Sequence, residues 1–233
     1  LKGKEQPTTD RAFDSKLLSV LSHDIRQPLG MLKSLAILLQ SGYQPTPDGL
    51  IKMIESIERA ADISLDMCDN ILPWIKWRLM NEAYQPSPLP LRELFNETIQ
   101  QFTGVSETRN ITIQNKIEAS VVINADKQLL QLINKVLLDH ALFTSHEQSA
   151  INITTELLQQ EIVVSITVSH SSTPAETIDN LFHFQADQPY SSDKEKSMGI
   201  ALMIGKTAAE KMHGRIWANR KEQGIIFCYT LPC

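Results

Sequence analysis

The sequence lacks the features that mark several classes of protein. It has no Lys/Arg-rich run and carries a net charge of -5, which excludes nucleic acid as its main partner. Its cysteines, Cys68, Cys228 and Cys233, are odd in number and without metal-ligand spacing, so neither a disulfide framework nor a zinc site is expected, and the cytoplasm fits best. No run of 18 apolar residues is present, and residues 1–7 lack the apolar stretch of a signal peptide, so no direct membrane contact is expected from this segment. The Asn-x-Thr matches at Asn96, Asn110 and Asn152 are then chance. Internal repeats and low-complexity tracts are missing, and so is an initiator Met; the expectation is a fragment of a larger membrane-bound or sensory protein. At 233 residues a core can be buried without staples.

What is present begins with two long helical patterns. Residues 1–10 read as a polar linker, with Pro7-Thr8-Thr9-Asp10 supplying helix-start chemistry. The first helix is expected from about Asp10 to Gln40, ending in Ser41-Gly42. At about 100° per residue, Leu17, Leu21, Ile25, Leu32 and Leu39 fall within roughly 40° of one line, and His23 lies about 200° from it. His23 is therefore expected in solvent, beside Asp24 in sequence and with Gln27 one turn on. An imidazole that gives one N–H to a carboxylate keeps its other nitrogen free to attack an electrophile such as a γ-phosphoryl group. Pro28 is expected to kink the helix just after the histidine.

Gly42, Pro45 and Pro47 mark a connection, and Thr46 or Asp48 can cap the second helix. Its apolar stripe runs through Leu50, Ile54, Ile57, Ala61, Leu65, Cys68, Leu72, Ile75 and Leu79. Two such helices make an antiparallel hairpin. One hairpin cannot bury both stripes, so a homodimer, a four-helix bundle formed with a second copy, is expected; packing on the chain's own C-terminal domain is the alternative. Pro73 is expected to kink the second helix or end it early. Trp74 and Trp77 read as hinge or interdomain packing.

Alternate prolines in Tyr84-Gln85-Pro86-Ser87-Pro88-Leu89-Pro90 forbid helix and favour an extended linker over 83–90, dividing a domain at 11–82 from one at 91–233. Beyond it the patterns give a helix from Leu91 to Phe102, strands at Ile111–Asn115 and Ser120–Ile123, and a helix from Asp126 to Phe143. Strands at Ile151–Glu156 and Ile162–Val168 flank a turn at Leu157–Gln160; a helix from Ile200 to Met212 is stopped by His213-Gly214, and strands at Arg215–Asn219 and Ile225–Leu231 close the chain. The expected class is α+β: a helical hairpin followed by a two-layer α/β sandwich.

Ser22-His23-Asp24-Ile25-Arg26-Gln27-Pro28-Leu29 resembles the H-box of bacterial two-component sensor histidine kinases at every position but Gln27, where that family has Thr or Asn. The order of elements after Leu91, with Tyr84-Gln85-Pro86, Ala125-Asp126-Lys127-Gln128-Leu129 and Met212-His213-Gly214-Arg215-Ile216-Trp217, resembles the Bergerat-type ATP-binding domain of the same family. The resemblance implies His23 as phosphoacceptor, Asp24 as general base, and Gln27 in place of the residue that positions a water for dephosphorylating the partner. It also implies ATP and Mg2+ as cofactors and a response regulator receiver domain as partner.

Laid on the family's N-box, Asp139 takes the metal-binding position, Lys135 stands for the other Asn and Leu142 for the Lys. His170-Ser171-Ser172-Thr173 takes the place of Asp-x-Gly-x-Gly without its adenine-reading carboxylate, and the phosphate-cradling Gly-x-Gly-x-Gly-Leu keeps only Gly199. Lys135, Asp139, His170 and Gly199 are thus the candidate cofactor-binding residues, and Asp139 the metal ligand. Three altered boxes, each worth about 1–3 kcal/mol if it loses a buried hydrogen bond, would consume much of the binding energy of a micromolar ligand. The expected function is a sensor histidine kinase core with weakened nucleotide binding. The alternative is a kinase-inactive phosphotransfer or adaptor protein, or a regulatory pseudokinase.

Overall fold

A computed structural model describes residues 26–79, 84–182 and 193–232. The chain divides between Asp69 and Asn70 into two compact units.

The first unit holds helix α1 (residues 26–40) and the start of α2 (Pro47–Leu79). Helix α1 stops where Gly42 turns left-handed, at φ +84°, a conformation that costs glycine little. Of the two candidate caps, Thr46 is the one used: its Oγ1 accepts from the Gly49 N–H at 3.2 Å, and Pro47 then occupies the first helical position, where a missing N–H costs nothing. Pro28 lies inside α1, and the carbonyl it was expected to clash with belongs to Asp24, outside the described residues. Helix α2 does not end early: it continues from Pro73 to Leu79. In a helix of 33 residues, turns already formed on both sides outweigh the one lost internal bond. The side chains of Trp74 and Trp77 lie outside the described residues.

In the second unit the proline-rich stretch is extended, yet it is also paired. Strand β1 (Ser87–Pro90) runs antiparallel to β3 (Val122–Ala125), with Ser87 opposite Ala125 and Pro90 opposite Val122. The ladder continues in the bond from the Leu91 N–H to the Val121 carbonyl, 3.1 Å, so the odd-numbered residues face β3. Pro88 and Pro90 face the other way, where no N–H is needed.

A five-stranded sheet in the order β2-β4-β5-β7-β6 forms the body of this unit. Strand β2 (Thr112–Asn115) is parallel to β4 (Ala150–Leu158); β4, β5 (Glu161–Val168), β7 (Gly224–Pro232) and β6 (Ile216–Lys221) are antiparallel in turn. Register puts Ile151 and Ile153, then Ile166 and Val168, then Phe227 and Ile225 on one buried face, while Asn152, Ser165 and Thr167 alternate onto the other. Over the apolar face lie α5 (Lys127–Thr144) and α6 (Asp193–Lys211), packed on each other, with α3 (Leu91–Gln101) against α5 and the short α4 (Thr103–Thr108) after it. This is the expected two-layer sandwich.

Several boundaries differ from expectation. Leu157 and Leu158 belong to β4, and the turn shrinks to Gln159 and Gln160, with Gln159 at φ +43°. Strand β3 starts at Val122, two residues later than expected, because residues 118–121 form a turn closed by the bond from the Val121 N–H to the Glu118 carbonyl, 3.1 Å. Helix α6 starts at Asp193 rather than Ile200, so the stretch resembling a phosphate cradle is helical. Its other end is a Schellman motif: Gly214 N–H donates to Ala209 O and His213 N–H to Glu210 O, with His213 at φ +61°. Glycine is not at the left-handed position here. It stands one residue later, where a Cβ would lie 1.9 Å from the Thr230 carbonyl oxygen.

Candidate functional site

Helix α5 organises the candidate site, and it is tied at both ends. At its start the Asp126 Oδ1 accepts from the N–H groups of Gln128 (3.0 Å) and Leu129 (3.2 Å). At its end the Arg109 guanidinium donates to the carbonyls of Leu142 and Ser145, while Ser172 donates from both N–H and Oγ to the Thr144 carbonyl. Most of its side chains are buried, but Gln131, Lys135, Asp139 and Phe143 recur every four residues and form a half-buried stripe. Gln131 donates to Glu97 of α3 at 3.1 Å. The structure therefore brings Lys135 and Asp139 together, one turn apart on one face.

The other two candidates stand elsewhere. His170 is exposed after β5, its carbonyl accepting from the His146 N–H at 3.1 Å. Gly199 lies half-buried inside α6. His23 and Asp24 fall outside the described residues; Gln27 is exposed on α1.

Residues 171–173 form a closed knot of hydrogen bonds. The Ser171 Oγ donates to the Thr173 Oγ1 at 3.1 Å and accepts from the Thr173 N–H at 3.2 Å; the Thr173 carbonyl accepts from Arg220 at 2.9 Å. Ser171 bridges to Ser145 at the end of α5, and its N–H donates to the Gln223 carbonyl. Both hydroxyls are buried and engaged, and no carboxylate stands among them.

ATP with Mg2+ fits this arrangement at one end only. A half-buried carboxylate beside a lysine suits a hard cation and phosphate oxygens, and Mg2+ is commonly held by one or two carboxylates plus phosphates rather than by a protein cage. Lys135 and Asp139 would hold that end. The base end does not fit: the knot at 171–173 has no carboxylate to take the adenine amine.

Two features escaped the sequence reading. His140, on the core face of α5, is buried between Phe143 and the edge of Phe227, with ring centroids 6.3 and 5.3 Å away, and neither ring nitrogen has a partner. Burial lowers its pKa to about 4, against a smaller opposing pull from the Glu195 carboxylate. Its spacing, seven residues after Ile133, was the available signal. The second is the buried bond from the Tyr229 hydroxyl to the Asn134 Oδ1, 2.7 Å, which joins β7 to α5. A separate cavity of about 720 Å3, bordered by Lys116, Val122, Thr155, Leu157 and Ile162, holds none of the candidate residues.

Residues 125–233 match the model of the "Histidine kinase-, DNA gyrase B-, and HSP90-like ATPase" family. This part of the chain is similar to the ATPase domains that this family groups together. The whole chain is similar to sensor protein KdpD of Clostridium acetobutylicum, 24% identical over 94% of this chain and 24% of the relative. It is likewise similar to the adaptive-response sensory kinase SasA of Synechocystis, 25% identical over 99% of this chain and 62% of the relative. The chain thus spans between a quarter and three fifths of the length of these relatives. Its fold is that of the histidine kinase ThkA, solved in complex with the response regulator protein TrrA: TM-score 0.70, 20% identity, 96% of this chain and 63% of that one. Histidine kinase resemblance and the hairpin-plus-sandwich fold both stand. Among the described residues no helix is long and apolar enough to cross a membrane.

Proposed function

We propose that this chain is the cytoplasmic core of a two-component sensor histidine kinase whose nucleotide binding is weakened at the base end. His23 accepts a phosphoryl group that ATP supplies when bound, and passes it to an aspartate of a response regulator receiver domain. The observation that carries this reading is the Ser22–Leu29 string, which runs into α1 of the helical hairpin and lies N-terminal to a stretch that matches the histidine kinase-type ATPase model. Asp24 takes one imidazole N–H and sharpens the other nitrogen as nucleophile. The Gln27 amide orients a water for the reverse, dephosphorylating direction. Lys135 and Asp139 hold phosphate and Mg2+. Two copies pair through the apolar stripes of α1 and α2, and the hairpin presents His23 to the receiver domain. The ThkA–TrrA complex supports that partner class.

The engaged hydroxyls of Ser171 and Thr173 favour a second reading, in which the chain binds no ATP and serves as a phosphotransfer adaptor or a regulatory pseudokinase. Incubation of the full chain with γ-labelled ATP and Mg2+ decides between them. Slow labelling that His23→Gln abolishes is expected. No label, together with no calorimetric signal at millimolar nucleotide, would remove the kinase reading. Phosphoryl exchange with a phosphorylated receiver domain, lost in His23→Gln, then separates adaptor from pseudokinase.

A further inference from the structure

The chain enters the ATPase-type domain through Tyr84 and Gln85, and both are held by the ends of its two long helices. The Gln85 N–H donates to the Asp126 Oδ2 at 3.2 Å, while the other oxygen of the same carboxylate caps α5. One side chain therefore serves the entering chain and the start of α5 together. The Tyr84 ring stands edge-on to His213, 6.4 Å between centroids and 86° between planes, and the nearby Asp126 charge adds to burial in raising the phenol pKa. His213 is the residue that ends α6 in the left-handed conformation at φ +61°. A non-glycine residue is held there only when its surroundings over-determine it, and glycine would serve the turn at less cost. A histidine in that place supplies a ring, and Tyr84 is what the ring meets.

We propose that Tyr84 and Gln85 form a latch that binds the entering chain to the start of α5 through Asp126 and to the end of α6 through His213. A displacement of the entering chain is then felt at the first turn of the helix that carries Lys135 and Asp139. The latch is a mechanical property of the fold and does not depend on nucleotide binding or on phosphoryl transfer. It also keeps any hinge of the interdomain connection out of residues 84–90, since β1 pairs with β3 immediately afterwards.

Amide hydrogen exchange and histidine ring signals of the full chain test this. The Gln85 amide is expected to exchange about tenfold or more slower than an open peptide, as a closed hydrogen bond requires. Asp126→Ser keeps one oxygen to cap α5 and loses the one that holds Gln85, so the Gln85 protection should vanish while Gln128 and Leu129 stay protected. Gln85→Pro removes the donor without touching the cap, and should move the His213 ring signals to where Tyr84→Leu puts them. His213→Gly should keep α6 intact and raise exchange at Gln85. Open-peptide exchange at Gln85 in the unaltered chain, unchanged exchange in Asp126→Ser, or unmoved His213 signals in Gln85→Pro would each overturn the latch.

Discussion

Leu137 and Leu65 are the same residue in two long amphipathic helices, yet Leu137 of α5 is 0% exposed and Leu65 of α2 is 62% exposed. Around Leu137 the chain completes its own core: α3, α6 and the sheet close over α5. Around Leu65 it does not, and Ile51, Ile54, Ile37 and Met31 on the same hairpin are more than half exposed too. One unit is finished within a single chain. The other carries apolar surface suited to a second copy, which is the physical ground for the proposed dimer.

Matched truncations test this contrast most strongly. Leu137→Ala should cost about 2–5 kcal/mol of stability, the price of a cavity in a packed core. Leu65→Ala should change the dilute chain by no more than about 0.5 kcal/mol and instead weaken self-association, read by sedimentation over a range of concentrations. Equal losses at low concentration would break the comparison.

Acid separates the units next. His140 has a folded pKa of about 4 against an ordinary 6.5, so the unfolded chain takes up its proton first. Stability is full above about pH 6.5, falls as pH drops toward 4, and has lost about 3 kcal/mol below that. The one histidine of the first unit is His23, expected in solvent from its place on the helix, so this loss should be confined to the ATPase-type unit. Unfolding midpoints at pH 7 and pH 4.5, for the unaltered chain and for His140→Leu, check it; the variant should lose the histidine's share of the slope.

A smaller effect is expected where α5 is tied from outside. Arg109→Met removes the guanidinium from two carbonyls at its end and should cost about 1–3 kcal/mol, read by denaturant unfolding. The hairpin's described caps are local, and Thr46→Ala should cost about 1 kcal/mol or less. Smallest of all is the exposed pair Arg215–Glu161 at 2.9 Å, whose side chains are 71% and 39% accessible. Arg215→Ala should shift stability by well under about 1 kcal/mol, in either low or high salt.

Periodicity made α5 legible to within a residue at each end, because its apolar residues repeat on one face and Asp126 announces the cap. Helix α6 was legible only in its second half. Its first turns carry Asp193, Lys194, Glu195 and Lys196, which give no apolar period to read. Strand β1 was legible as extended and not as paired, since proline content fixes φ without saying what lies alongside. At the candidate site, the spacing of Lys135 and Asp139 was enough to place them together. The knot at Ser171–Thr173 was not foreseeable, because its partners Arg220, Gln223 and Ser145 are distant in sequence and come together only through the sheet.

The two prolines of β1 have one more consequence. With Pro88 and Pro90 on the outward side, that rim of the two-stranded ribbon offers carbonyls but no donors, so no neighbouring molecule can zip onto it. The proposed pairing of copies gains from having this rim blunted: contact between molecules is left to the helices, and runaway sheet growth into aggregates has no starting template there.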